Sequence, residues 1–247
     1  MKNITVLFED DDFLVLNKPA GLPVQGGAGV GASLDSLLTE AYKNRPFLVH
    51  RLDKDTSGVI VTAKTRESAA ACSALFAAPA GLHKRYLALC AGMLEEKGII
   101  SETLLVKGRE LTAETSYRRL ACANFPAAAG LPGDAGSPAN HPFSGAVSFL
   151  ELQPATGRMH QIRRHLAQAN CPVLGDDKYG NFALNKRMHK SLGLKRLLLH
   201  AVSIRLPPSL VKGGIEINAP LPDYFSAVLE AVFRRGKTAA LLLSADG

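Results

Sequence analysis

The sequence lacks several features that would assign it at once to a class of protein. No apolar run approaches the ~20 residues that a membrane-spanning helix requires, so we expect no membrane segment. The first residues contain neither the apolar core nor the cleavage site of a signal peptide, which predicts a cytoplasmic protein. The four cysteines are scattered and form no C-x-x-C pair, so we expect reduced, partly buried thiols and no metal site. They are Cys72, Cys90, Cys122 and Cys171.

Motifs for nucleotide binding and for serine hydrolases are also missing. The glycine-rich stretch 26–31 lacks the last glycine of G-x-G-x-x-G and the Lys-Ser/Thr pair of a phosphate-binding loop. We therefore interpret it as a flexible connection and expect no nucleotide cofactor. No G-x-S-x-G motif is present, which argues against a hydrolase with a Ser, His and Asp set.

Positive charge is concentrated in one segment of the chain. The 247 residues include 29 Lys and Arg against 22 Asp and Glu, a net charge of +7. Residues 156–196 contain nine of these cations and two acids, Asp176 and Asp177, so the rest of the chain is balanced. Such a concentration favours a polyanionic partner, with a solvated basic face as the alternative.

The apolar pattern predicts strands with helices between them, in a composition that is 47% hydrophobic and 21% charged. The predicted strands are Ile4–Phe8, Phe13–Asn17, Phe47–Val49, Val59–Lys64, Arg85–Ala91, two or three within 99–122, Ala146–Gln153, Leu197–Leu206 and Gly214–Ala219. The predicted helices are one through Tyr42 with Ser33 as its N-cap, Glu67–Ala77, one that starts after Gly157 and ends at Asn170, and Asp223–Phe233. This order indicates the α+β class, or mixed α/β.

Two segments have no predicted structure. Residues 124–144 are rich in Pro, Ala and Gly and have no periodicity, so we expect a mobile surface insertion that is too short for a domain boundary. The tail 237–247 has no assignable role. One domain over residues 1–247 is therefore expected.

The stretch HRLDKDTSG at residues 50–58 joins two apolar runs, so we predict a connection at the end of a sheet. Asp53 lies there among Arg51, Lys54 and a Thr-Ser-Gly turn that includes Ser57. This is a suitable position for a carboxylate that must stay ionised and accessible. An Asp that only caps a turn is the ordinary alternative.

Several stretches together resemble one enzyme family. The stretch HRLDKDTSGVIVTAK is similar to the signature of the RluA-type RNA pseudouridine synthases. The stretches HKRYLA at 83–88, TGRMHQIR at 156–163, PVLGDDKYG at 172–180 and LLLHA at 197–201 match the same family in the same order, and Lys18–Pro23 resembles its NKPxG element. The resemblance covers about residues 10–222. It implies the pseudouridine synthase fold, a long, mainly antiparallel sheet with flanking helices and a central active-site cleft, without the S4 RNA-binding domain of some relatives.

The resemblance also implies three catalytic residues. Asp53 matches the family's nucleophile, and Arg163 matches the arginine that pairs with it. Burial favours the neutral form of a carboxylate, and a neighbouring cation opposes that effect. Tyr86 matches the active-site tyrosine, which can stack on uracil and take part in proton transfer. Without the family, a core tyrosine and an exposed helical arginine would be the simpler interpretations.

A target uridine in folded RNA must leave its stack, and a protein side chain can fill the gap. Arg51 matches the family position suited to that role, and a phosphate contact is the alternative. We place His50 beside it among the RNA-binding residues. Basic side chains are expected to hold the flanking phosphates, which predicts salt-sensitive binding. They are Arg158, Arg164, Lys178, Lys186 and Arg187.

Four further residues receive supporting roles. Leu198 and Leu199 are expected to form the apolar floor under the base, with core packing as an equally good interpretation. His160 and Gln161 are expected to be structural hydrogen-bonding residues that hold Arg163.

The function implied by the resemblance is the isomerisation of specific uridines in ribosomal or transfer RNA. The reaction needs no metal and no nucleotide, and we expect a monomer. A catalytically silent RNA-binding relative is the alternative, but the joint presence of Asp53, Tyr86 and Arg163 argues against it. The sequence leaves open which RNA is modified, and whether Asp53 attacks C6, attacks C1′ or abstracts a sugar proton.

Overall fold

The computed structural model describes residues 4–27, 31–78, 81–106, 109–124 and 145–235, which form ten strands and five helices. The strands are β1 (Thr5–Glu9), β2 (Phe13–Lys18), β3 (Phe47–Leu48), β4 (Ser57–Ala63), β5 (His83–Ala91), β6 (Lys97–Val106), β7 (Arg109–Asn124), β8 (Ala146–Pro154), β9 (Leu199–Leu206) and β10 (Ile215–Asn218). The helices are α1 (Leu34–Ala41), α2 (Arg66–Ala77), α3 (Gln161–Gln168), α4 (Phe182–Leu192) and α5 (Asp223–Arg235).

Most predicted elements are confirmed with small changes at their ends. Residues 99–122 supply two strands, β6 and β7, and β9 begins at Leu199 rather than at Leu197. The expectations for the insertion, the tail and the middle of the glycine-rich stretch concern residues 125–144, 236–247 and 28–30, which lie outside the described residues.

Helix α4 is not among the predicted elements, although its sequence carries local signals for a helix. The side chain of Asn181 accepts a hydrogen bond from the amide of Leu184 and so caps the first turn. Leu184 and Met188, one turn apart, are buried on one face. Gly193 ends the helix in the left-handed conformation that glycine adopts without strain.

The first of two compact units comprises Met1–Tyr86, Pro154–Met159 and Leu199–Leu221. Its strands lie in the order β1-β2-β4-β9, with β3 also on β4 and β10 on β9. All of these pairs are antiparallel except β4 and β9. That parallel contact is short and joins Ser57 to His200 and Gly58 to Ala201.

The central strands of this unit are apolar at successive positions because both of their faces are buried. Phe13 on β2 belongs to one apolar cluster, to which α2 contributes Cys72. The next residue, Leu14, belongs to a second cluster, to which α1 contributes Leu34 and Leu38. The alternating residues of one strand therefore bind two helices to the sheet.

The second unit comprises Leu87–Gln153, His160–Leu198 and Pro222–Gly247. Its strands lie in the order β5-β8-β7-β6, and β6 and β7 form an antiparallel hairpin. Helix α3 contacts both strands of the hairpin and buries Ile162 and Leu166. In α5, the ring of Phe225 packs edge-on against Phe149 of β8, with 6.4 Å between the ring centroids.

These elements confirm the α+β class and the mainly antiparallel sheet. The single domain expected from the sequence stays a prediction. All four cysteines are free thiols, of which three are buried, and Cys122 is partly exposed. In the part of the chain that the structure describes, no helix combines the length and the apolar character needed to span a bilayer.

Candidate active site

Asp53 lies in the connection between β3 and β4, as the sequence predicts. Its backbone carbonyl accepts a hydrogen bond from the amide of Thr56 at 3.2 Å, which closes a turn over Lys54 and Asp55. The residue is partly exposed, whereas Lys54 and Asp55 at the tip are exposed. The turn thus fixes the backbone of Asp53 at a partly exposed position.

The side chain of Lys18, at the end of β2, fastens this turn to the sheet. Lys18 is fully buried, and its ammonium group donates to three backbone carbonyls. These belong to Pro19 at 2.9 Å, Leu22 at 2.9 Å and Lys54 at 3.0 Å. Burial lowers the pKa of Lys18 to about 8, although the nearby carboxylates of Asp55 and Asp53 act in the opposite direction. The candidate residues named from the sequence do not include Lys18, whose only signal is the NKPxG resemblance.

Tyr86 lies in the same unit as Asp53, on the first half of β5. Its ring packs against the apolar cluster that contains Leu52 and Ile60. Burial raises the pKa of the Tyr86 phenol, and the negative charge of Asp53 raises it further. The phenol is therefore held in its protonated form, close enough to Asp53 to sense its charge.

A buried hydrogen bond fixes the strand that follows Asp53. The Ser57 hydroxyl lies 2.9 Å from Nδ1 of His200, and Nε2 of His200 lies 3.2 Å from the carbonyl oxygen of Ala219. Because a carbonyl can only accept, Nε2 carries the proton and Ser57 donates to Nδ1. Burial lowers the pKa of His200, which keeps the ring neutral as this pattern requires.

His50 also contributes to the sheet. Its Nε2 accepts a hydrogen bond from the amide of Val61 at 2.8 Å, and its ring stacks on Phe76 with 4.0 Å between the centroids. Burial, together with the charge of Lys84, lowers the pKa of His50 to about 3. The ring is thus neutral and internally bonded, so its role in RNA binding stays a prediction. Its neighbour Arg51 is exposed, as a contact with RNA requires.

In the second unit, Arg163 forms a two-pronged ion pair with Asp176. Nε donates to Oδ2 at 2.7 Å, and Nη2 donates to Oδ1 at 2.8 Å. Oδ1 also accepts from the backbone amides of Lys178 and Tyr179, at 2.9 and 3.0 Å. Burial alone would raise the pKa of Asp176, but these donors outweigh it and lower the pKa below its ordinary value. Asp176 is therefore a buried anion that fixes the plane of the Arg163 guanidinium.

The aromatic ring of Tyr179 completes this arrangement. The ring centroid lies 5.3 Å from the Arg163 guanidinium carbon, and the phenol oxygen lies 3.0 Å from Nδ1 of His160. His160 thus supports Arg163 through Tyr179. Gln161 instead ties α3 to β7, since its amide donates to the carbonyl oxygen of Glu114 at 2.9 Å. Sequence reasoning missed the role of Asp176, although its motif is part of the resemblance. The predicted pairing of Arg163 with Asp53 stays a prediction.

Residues 12–168 match the model of a protein family described as RNA pseudouridylate synthase. The chain belongs to this family.

Curated relatives and solved structures agree with this assignment. Ribosomal large subunit pseudouridine synthase C of Pasteurella multocida (strain Pm70) is 34% identical over 234 residues, which cover 92% of this chain and 67% of the relative. The protein of the same name from Rickettsia typhi (strain ATCC VR-144 / Wilmington) is 35% identical over 228 residues, with coverages of 90% and 69%. The solved structure titled Human RNA Pseudouridylate Synthase Domain Containing 4 is 25% identical, with a TM-score of 0.68 over 92% of each chain. The RluA-type resemblance, its fold and the isomerase class are thereby confirmed.

The basic residues predicted for this pseudouridine synthase differ in their surroundings. Arg158 and Lys178 are exposed, and Lys186 is exposed on α4. Arg164 is instead paired with the carboxylate of Glu102. A phosphate contact by Arg164 would therefore compete with this ion pair, and it stays a prediction.

The two leucines predicted to lie under the base are buried. Leu198 is fully buried, and its backbone bonds to Leu174 and Leu89, while Leu199 begins β9. This burial favours core packing, and the floor under the base stays a prediction. Across the described ranges, no three His, Cys, Asp or Glu side chains are grouped so that they could hold a metal ion.

Proposed function

We propose that this enzyme converts uridines of large-subunit ribosomal RNA to pseudouridine, with Asp53 as the reacting carboxylate. The names of the relatives in Pasteurella multocida and Rickettsia typhi support the ribosomal substrate. The position and the neighbours of Asp53 support its role as the reacting carboxylate. Asp53 is partly exposed and lies in a turn held by the buried ammonium group of Lys18, with the protonated phenol of Tyr86 within range of its charge.

The rearrangement breaks the bond between N1 of uracil and C1′ of ribose and forms a bond between C5 and C1′, while the C5 proton is lost and N1 gains one. A carboxylate can act as nucleophile or base in such a sequence. Attack of Asp53 on C6, attack on C1′ and abstraction of a sugar proton are all compatible with its position. Because burial disfavours the Tyr86 phenolate, we assign Tyr86 to stacking and hydrogen-bond donation rather than to removal of the C5 proton.

Two arginines complete the proposal. Arg163, oriented by Asp176, pairs with Asp53. The positive charge of its guanidinium stabilises the negative charge of Asp53 when bound RNA excludes water from the site. Arg51 enters the RNA stack where the target uridine has flipped out, or contacts a phosphate there. The cytoplasmic location, the monomeric state and the absence of a nucleotide cofactor stay predictions.

The experiment that tests this function is site-by-site mapping of pseudouridine in total RNA from cells with and without the gene. We expect the loss of one or a few sites in large-subunit ribosomal RNA. Loss only from transfer RNA would show that the proposed substrate is wrong. If no site is lost, the purified enzyme is assayed on unmodified ribosomal and transfer RNA transcripts, and a lack of product there would leave a silent RNA-binding protein.

The Asp53→Asn substitution keeps the size of the side chain and removes its charge, so we expect turnover to fall by about 10³-fold or more. The matched control is Asp55→Asn, which removes the same charge two positions later in the same turn, and it should retain turnover. Tritium release from C5-labelled uridine in RNA measures both variants. Retained turnover in Asp53→Asn would remove Asp53 as the reacting group.

A further inference from the structure

Helix α4 exposes an aromatic ring and two lysines on one side. Phe182 is 66% exposed, and Lys186 and Lys190 are exposed as well. Residues four apart lie on the same face of a helix, with about 6 Å of rise between them, so the three side chains form a row. Leu184 and Met188 hold the opposite side in the core. We call this row the α4 face.

The sequence around the α4 face carries charge of one sign. The chain contains no Asp or Glu from Lys178 to Ile215, a stretch that includes eight Lys and Arg. Neither lysine of the face therefore has an acid three or four residues away on the helix with which it could form an ion pair. This segment is also part of the region that carries the net positive charge of the whole chain.

A solvated basic face explains the two lysines, and a single exposed apolar side chain is common on protein surfaces. The feature of the α4 face is the combination, an exposed aromatic ring in one row with two exposed lysines. Proteins that bind single-stranded nucleic acid combine a positive surface for the backbone with aromatic rings on which bases stack. A protein partner with acidic and apolar side chains is the alternative occupant, and the long segment without any acidic residue favours a polyanion over it.

We propose that the α4 face binds a single-stranded segment of the RNA substrate, with a base stacked on Phe182 and phosphates contacted by Lys186 and Lys190. The proposal rests on the proposed function, which supplies an RNA substrate, and it names one surface that holds that RNA. Arg187, on a neighbouring side of the helix, is partly buried and does not belong to the row.

The test compares two fluorescently labelled probes over a series of salt concentrations. One is an oligouridylate of about 20 nucleotides, longer than the usual site of a single-strand binder. The other is an RNA duplex of similar length, in which the bases are paired and stacked. Fluorescence anisotropy gives the dissociation constant of each probe.

For Phe182→Ala we expect weaker binding of the oligouridylate by at least about fivefold, and unchanged binding of the duplex. Phe182→Leu keeps an apolar side chain without the ring and should show the same selective loss. Equal binding of the oligouridylate by wild type and Phe182→Ala would overturn the proposal. Since Phe182 is exposed, both variants are expected to fold, which circular dichroism checks.

For the double variant Lys186→Ala and Lys190→Ala we expect the slope of log affinity against log salt to become shallower by about 1.4, the value for two phosphate contacts with a single strand. The control is the double variant Lys43→Ala and Lys212→Ala. It removes the same charge from two exposed lysines elsewhere and should keep the wild-type slope. Equal changes in both double variants would show a response to net charge alone and would overturn the proposal.

The assay separates this proposal from the proposed function. If the wild-type enzyme forms pseudouridine in ribosomal RNA and the α4 variants bind the oligouridylate as the wild type does, only the proposed role of the α4 face is overturned. The opposite result is a wild-type enzyme that forms no pseudouridine, together with weaker oligouridylate binding by Phe182→Ala. It would support the α4 face and overturn the proposed function.

Discussion

Two buried ionisable side chains, Lys18 and Asp176, determine how single residues of the site are oriented. Lys18 donates to three carbonyls, and Asp176 accepts from two side-chain and two backbone donors. A buried charge without partners costs several kcal/mol, so these groups hold their partners in one arrangement. The partners are the turn that carries Asp53 in one case and the guanidinium of Arg163 in the other.

The pair Asp176 and Asp177 offers a test at this scale. In Asp176→Asn, a carbonyl oxygen can still accept from the amides of Lys178 and Tyr179, but the amide NH₂ then faces Nε–H of Arg163. We expect a loss of about 3 kcal/mol in the free energy of unfolding, because a buried ion pair is broken on one side. We also expect a fall of about 10- to 100-fold in kcat, because Arg163 is displaced.

The control Asp177→Asn changes an exposed neighbour, so its stability should stay within about 0.5 kcal/mol of wild type. Urea titration and steady-state kinetics give the two quantities. A normal kcat in folded Asp176→Asn would show that the orientation of Arg163 does not matter for the reaction.

At the scale of elements, the junction of β4 and β9 restricts which residue type can stand at position 58. Gly58 has φ +112°, and a Cβ there would lie 2.1 Å from the carbonyl oxygen of Ala201. Only glycine allows the backbone of β9 to approach β4 so closely. The same junction contains the hydrogen bond between Ser57 and His200 and follows the turn of Asp53.

Gly58→Ala is therefore expected to lower the free energy of unfolding by about 3 kcal/mol or more, through the clash and the strained backbone together. Gly31→Ala is the control, since a Cβ at Gly31 meets nothing within 4 Å. It should leave stability unchanged or raise it by up to about 1 kcal/mol. The midpoints of urea unfolding measure both. An unaltered midpoint for Gly58→Ala would contradict the close approach of β9.

The elements, and the positions in the fold of the motifs that carry Asp53 and Tyr86, were predictable where the signal is local. The apolar runs of β2 and β4 are visible because both faces of these strands are buried, and Asp53 and Tyr86 lie in recognisable motifs. Lys18 was not identified because it supports the turn of Asp53 through Lys54, 36 residues away. Asp176 was not identified, although its donors lie 2, 3 and 13 residues away, because the sequence does not show which of the adjacent acids Asp176 and Asp177 is buried. Helix α4 is the opposite case, because it was not predicted although Asn181 and Gly193 are local signals for its two ends.

At the scale of the whole molecule, three histidines couple stability to pH. Burial lowers the pKa of His50, His165 and His200. The unfolded chain therefore binds protons more readily than the folded chain below the ordinary histidine pKa of about 6.5. Their contribution to stability is complete above that pH and is lost as the pH falls, toward about 3 for His50. The lowered pKa of Asp176 adds a further loss at lower pH.

We accordingly expect the free energy of unfolding to fall by about 1–2 kcal/mol through His50 between pH 6.5 and about pH 5, and to fall further through His165 and His200. Urea titrations at several pH values measure this slope. The slope should be shallower in His50→Gln, which keeps a hydrogen-bond acceptor and cannot be protonated in this range. A stability that stays constant or increases on acidification would contradict the neutral, buried state of these rings.

The discontinuous first unit has a consequence for biosynthesis. Strand β4 needs β9 as its neighbour, and the hydrogen bond between Ser57 and His200 spans 143 residues. A chain emerging from the ribosome can pair β1, β2, β3 and β4 early, but the end of β4 at Ser57 and Gly58 must wait on one edge until β9 has been synthesised. Contacts so distant in sequence slow folding and leave an open strand edge exposed to aggregation in the meantime. The turn that carries Asp53 thus gains its final support only late in translation. Until then the exposed edge of β4 is the part of this unit to which chaperones have the longest access.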